Sequence, residues 1–72
     1  SAARLILKRA RELPEPFTAR DVYRSQWSGL TDRETVRDAL DMLADYGQLI
    51  AETLDTGGRP SVIYRINPGA RA

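Results

Sequence analysis

Carboxylates and arginines are the residues of this 72-residue chain whose types and spacing could do chemistry. Asp38, Asp41 and Asp45 recur at helical spacing and could be imagined around a divalent cation. Such ions take oxygen ligands from several directions, commonly off a glycine-bearing loop, whereas these three follow one another along one helix with no histidine beside them. We read them as a solvated acidic face. Gly57-Gly58-Arg59 could bring backbone amides to a phosphate, yet it lacks the Lys-Ser/Thr and the strand-to-helix setting of a phosphate loop. The chain has neither cysteine nor histidine, which removes disulfides, the usual zinc ligands and histidine-based catalysis. The expectation is therefore no catalytic residue, no metal, no cofactor and no small-molecule substrate: not an enzyme on its own.

The arginines point to nucleic acid. Arg33 and Arg37 stand one turn apart, with Thr35 between them, and a guanidinium can fork onto a guanine edge or a phosphate oxygen. Glu34 and Asp38 flank them and Asp41 lies four residues after Arg37, so intrahelical pairing competes. Such pairs are worth only about 0.2–0.5 kcal/mol, little enough for phosphate to win. Arg59 sits at the tip of an expected hairpin, either along phosphates or the minor groove, or simply exposed beside Pro60. Arg20 and Arg24 are placed to touch the backbone from a second helix.

These side chains need elements to hold them, and the run from Leu30 to Ile50 is the one around which the others arrange. Thr31 with Glu34 three residues on has the capping-box pattern. Val36, Ala39, Leu40 and Leu43 then form an apolar stripe, and Gly47 can close the helix in a left-handed conformation before Leu49 and Ile50 begin a strand. Upstream, Ala2 to Leu13 reads as a first helix with Ala3, Ile6, Ala10 and Leu13 on one face, ended by Pro14 and Pro16. Its cations Arg4, Lys8 and Arg11 read as a solvated flank. Phe17 is a core anchor in a short extended stretch that pairs with the wing. Thr18 to Ser25 is a second helix capped by Thr18 and Asp21, with Val22 inward. Trp27, in the following turn, is either tucked beneath it or an exposed contact, the first being favoured. Leu49–Leu54 and Ser61–Ile66 form a hairpin around 55–60, and Val62, Tyr64 and Ile66 share a face. Phe17, Val22, Val36, Leu40, Leu43, Ile50, Tyr64 and Ile66 are the expected core. Residues 69–72 are expected to fray.

The fold class that follows is α+β: a winged helix-turn-helix of three helices and a two-stranded β-hairpin wing, with a short third strand near Phe17. Residues 1–72 make one domain, and because the chain opens at Ser1 it reads as a fragment of a larger protein. No signal peptide or apolar run of membrane-spanning length is present, so a cytoplasmic setting is expected. Charge is uneven. Six Arg/Lys face three Asp/Glu between Ser1 and Arg24, but two face five between Thr31 and Asp45. The central helix is acidic, which opposes DNA.

PFTARDVYRSQWSGL, then VRDALDMLADYGQLI, then TGGRPSVIYRINP together resemble the C-terminal winged-helix segment of poorly characterised bacterial, phage and plasmid proteins related to primase-helicases. Gly57-Gly58-Arg59-Pro60-Ser61 with Tyr64 and Asn67-Pro68 is the most specific part of the likeness. The resemblance implies a C-terminal accessory domain of a replication or mobile-element protein; joined to the helix-turn-helix architecture, it makes the expected function that of a DNA-binding module, with double-stranded DNA and the rest of the parent chain as partners. Contact is expected to be weak and salt-sensitive, through Arg33, Arg37, Thr35, Arg59, Arg20 and Arg24. The alternative is a protein-interaction or intramolecular docking domain that uses the acidic helix face and Trp27. Charge placement separates the two: a continuous face of Arg33, Arg37, Arg59 and the first-helix cations favours DNA, and interruption by acids favours protein contact.

Overall fold

The computed structural model describes residues 1–55 and 57–70. Helix α1 spans Ala2–Arg9 and tightens into a 3-10 turn over Ala10–Glu12, a correction to the single helix expected as far as Leu13. Leu13 is already extended, as a residue before proline must be. Helix α2, Ala19–Arg24, begins at a capping box in which the Asp21 amide donates to Thr18 Oγ1 and the Thr18 amide donates to Asp21 Oδ2. Helix α3 is Arg33–Asp45. Strands β1, Leu49–Asp55, and β2, Pro60–Ile66, pair antiparallel from Leu49 opposite Ile66 to Asp55 opposite Pro60. Three helices and this hairpin make the α+β arrangement of a winged helix-turn-helix. Among the described residues no helix is long and apolar enough to cross a membrane.

The α3 cap lies one residue later than expected. Asp32, not Thr31, takes the N-cap position, accepting from the Thr35 amide at 2.9 Å and the Thr35 hydroxyl at 2.9 Å. A carboxylate satisfies an orphan amide and also faces the positive end of the helix dipole, an advantage that Thr31 lacks. These bonds, the backbone one foremost, hold the Asp32 carboxyl below its ordinary value. A depressed carboxyl stabilises the fold above its unfolded pKa, and that contribution is lost as pH falls through the folded one. Asp32→Ala should therefore lower the urea midpoint at pH 7 and flatten its decline below about pH 4, while Thr31→Ala leaves both near the parent. Equal effects from the two would return the cap to Thr31.

The core gathers Ile6 from α1, Phe17, Val22, Trp27, Leu30, then Val36, Ala39, Leu40 and Leu43 from α3, and Leu49 and Tyr64 from the wing. Ile50 is a correction: it is 41% exposed, and its neighbour Leu49 fills the inward position. Strand alternation admits only one of two adjacent residues, and the register puts Leu49, Ala51 and Thr53 on the face of Ile66, Tyr64 and Val62. Ile66 packs at the core's edge, while Val62 is more open. Trp27 is 6% exposed beneath the turn, with the Arg9 guanidinium 4.9 Å from its ring centroid.

Two ties hold the wing to the helices. Phe17 and Tyr64 exchange backbone hydrogen bonds of 2.9 and 2.7 Å and stack their rings with centroids 5.8 Å apart, an isolated one-residue bridge in place of the short third strand expected near Phe17, so the sheet keeps two strands. At the other end Asn67 Nδ2 donates to the Gly47 carbonyl at 2.8 Å, and the Asn67 amide to the Gln48 carbonyl. Beyond it Pro68–Ala70 form a 3-10 turn; 71 and 72 lie outside the described residues.

Gly47 closes α3 with φ of +77°, as the sequence requires. A Cβ placed there would meet nothing within 4 Å, so any penalty for substitution is intrinsic to the backbone. Gly47→Val should cost about 1–2 kcal/mol by thermal or chemical unfolding, and Gly47→Asn appreciably less, because Asn tolerates positive φ. Two variants of equal stability would mean that the turn rearranges.

Candidate nucleic-acid interface

Helical geometry separates the charges of α3. At about 100° per residue, Glu34, Asp38 and Asp45 fall opposite the buried stripe, and Arg33 and Arg37 fall on its flank. That flank faces α2. The Arg33 guanidinium lies 5.3 Å from the ring centroid of Tyr23, and a cleft of about 540 Å³ opens between the two helices and the wing. Ala19, Arg20, Tyr23 and Arg24 line it from α2, Arg33, Val36 and Arg37 from α3, and Arg59 from the hairpin tip. Five arginines from three elements thus share one hollow, and no carboxylate is among its described lining residues.

Within the described residues neither Arg33 nor Arg37 forms the intrahelical salt bridge expected to compete for it, nor are Arg20 and Arg24 so paired. Away from the cleft, Arg9 holds Glu12 at 2.9 Å and Arg65 reaches Glu52 across the hairpin at 3.4 Å. Guanidiniums held near one another repel, and an anion seated among them relieves that repulsion while accepting their protons. The lining of the cleft is cationic.

Of the residues singled out from sequence, the cleft brings together Arg20, Arg24, Arg33, Arg37 and Arg59. Thr35 is not among them; its hydroxyl donates to Asp32 in the helix cap. The first-helix cations also stay apart, so the continuous face runs from α2 through α3 to the wing, without α1. Sequence reasoning missed Tyr23 as a site residue. Arg20, Tyr23 and Arg24 stand at i, i+3 and i+4, a spacing that already puts a ring and two cations on one helix face.

A second hollow of about 490 Å³ adjoins the first, sharing Ala19, Arg20 and Arg37 and continuing over Thr18, Asp41, Pro60, Ser61, Val62 and Tyr64. Its chemistry is different. Asp41 makes that end unwelcoming to phosphate, while hydroxyls, a proline and an aromatic edge suit a neutral group. Burial pushes the Tyr64 phenol upward, Asp41 adds to this and Arg37 opposes it, so the phenol stays protonated at neutral pH. Among the described residues no three carboxylates converge where a metal could sit. No family model, curated protein or solved structure matches the chain.

Proposed function

We propose that this chain is a DNA-binding winged-helix module that grips phosphates rather than reading bases. The observation that carries the reading is the arginine cleft: five cations from α2, α3 and the wing tip line it, Glu34, Asp38 and Asp45 project away from it, and Asp41 stands only at its edge in the adjoining hollow. Backbone phosphates are the anions that five such groups can meet together, and their neutralisation dominates non-specific affinity. With the outward face of α3 acidic, base reading in the major groove has little electrostatic support. Affinity belongs in the non-specific range, with Kd about 10⁻⁴–10⁻⁶ M at physiological salt. The likeness of the Gly57-to-Ser61 run to primase-helicase-related proteins supports placing the module within a larger replication or mobile-element protein, where nucleotide chemistry belongs to other parts.

Protein docking is the second reading. Met42 and Tyr46, 48% and 74% exposed, border the acidic side of α3 and favour it, although Trp27 is buried and cannot contribute. An amide chemical-shift titration with a short duplex at two salt concentrations decides between them. DNA binding shifts the amides of Arg20, Tyr23, Arg33, Arg37 and Arg59, and the shifts shrink as salt rises. Absence of duplex-dependent shifts at low salt would sink the DNA reading in favour of docking.

A further inference from the structure

The two adjoining hollows have opposite chemical characters, and their order suggests what enters them. The first is lined by five arginines; the second offers Asp41, hydroxyls and apolar surface; Arg20 and Arg37 stand at the junction of both. The hollows, about 540 and 490 Å³, are half open to solvent, so a group can enter them from the side. A nucleotide at a strand end has the matching asymmetry. Its terminal phosphate is a monoester carrying a charge of about −1.5 to −2 at neutral pH, whereas each internal diester carries one negative charge. The attached deoxynucleoside brings no charge of its own, with base N–H groups from which a carboxylate can accept once the terminal pair opens and a flat face that packs on apolar surface.

Approach geometry points the same way. A continuous duplex laid along the outward face of α3 would bring phosphates toward Glu34, Asp38 and Asp45, all exposed there. A strand end can enter from the flank and avoid them. We propose that the paired hollows hold the terminal nucleotide of a DNA strand, with its phosphate monoester among the five arginines and its nucleoside over Asp41, Pro60, Val62 and Tyr64. Tyr23, with the Arg33 guanidinium lying over its ring, supplies the wall of the phosphate hollow. The inference rests on the DNA-binding reading and narrows it from backbone in general to strand ends.

The test is fluorescence anisotropy with four ligands of one sequence: a 5′-phosphorylated duplex, a 3′-phosphorylated duplex, one with hydroxyls at both ends, and a dumbbell closed by loops so that no end exists. The inference expects one of the phosphorylated ends, 5′ or 3′, to bind about tenfold tighter than the hydroxyl duplex, the scale of one added charge-assisted contact. The dumbbell should bind no better than the hydroxyl duplex. The preference should shrink on lowering the pH from 7.5 to 5.5, where the monoester regains its second proton. It should vanish in the double variant Arg20→Gln with Arg37→Gln, checked for folding by its unfolding midpoint, and survive in Arg4→Gln. Equal binding of all four ligands by the parent protein overturns the end-binding inference while leaving DNA binding in place. No binding of any ligand at low salt removes both.

Discussion

Leu40→Ala should destabilise the domain by about 2–5 kcal/mol, a large part of the stability that so small a domain has. Leu40 has no exposed surface and lies in the same core as Ile6, Val22 and Tyr64, so truncation leaves a cavity that elements on all sides would have to close. A chain of this size has a total stability of roughly 4–10 kcal/mol at 0.05–0.15 kcal/mol per residue. With a urea dependence near ~1 kcal/mol/M for so small a domain, the midpoint falls by about 2 M or more, or no folded baseline remains. Met42 on the same helix is 48% exposed, and Met42→Ala should stay within about 0.5 kcal/mol of the parent. Ile50→Ala belongs nearer to Met42→Ala than to Leu40→Ala, given the outward placement of that side chain. Parity of Leu40→Ala with Met42→Ala in a urea titration would contradict the packing of α3.

For DNA the largest expected effect is on salt dependence. If each of the five cleft arginines meets a separate backbone phosphate, log K should fall with log salt at a slope of about −4.5, which is several-hundred-fold between 50 and 200 mM, and the slope is shallower where several arginines share one terminal phosphate. Arg33→Gln with Arg37→Gln removes two of the five, so the slope should flatten to about −2.7 and low-salt affinity should drop roughly 10- to 100-fold. The loss should be similar for unrelated duplex sequences, the mark of phosphate contact. Neutralising the outward acids, by Glu34→Gln with Asp38→Asn, should tighten binding, since those carboxylates repel the same polyanion. A slope shallower than −1 in the parent, unchanged by the double arginine variant, would mean that the cleft does not meet phosphate.

Local chemistry made much of the fold readable from sequence. Thr18 and Asp21 cap α2 because each satisfies the other's amide, a bargain struck within four residues. Gly47 ends α3 because few other residues accept its positive φ. Errors arose where neighbouring residues compete for one role. Thr31 and Asp32 can both cap α3, and the carboxylate won through charge and through a second bond from the Thr35 hydroxyl. Leu49 and Ile50 are both apolar, and strand register alone decides which turns inward. Leu30, fully buried, went unassigned because it lies in a turn with no period to mark it. The arginines of the site could be named one by one, but their convergence depends on how α2, α3 and the hairpin tip pack, which no spacing along the chain encodes.

The bridge between Phe17 and Tyr64 has a bearing on how the molecule assembles. It joins residues 17 and 64, so forming it closes about two thirds of the 72-residue polypeptide into one loop before its hydrogen bonds and ring contact are gained. Local pieces, α1, the capped α2 and the β1–β2 hairpin, can form with little loop-closure entropy, but this junction carries one of the highest sequence separations in the fold. A nascent chain therefore cannot complete its core until β2 has left the ribosome, and trimming the chain anywhere before Tyr64 removes the latch that couples the wing to the segment leading into α2. The same latch ties the wing, and with it Arg59 at the hairpin tip, to the segment that leads into α2, so the arginines of the cleft share one hollow only in the docked arrangement.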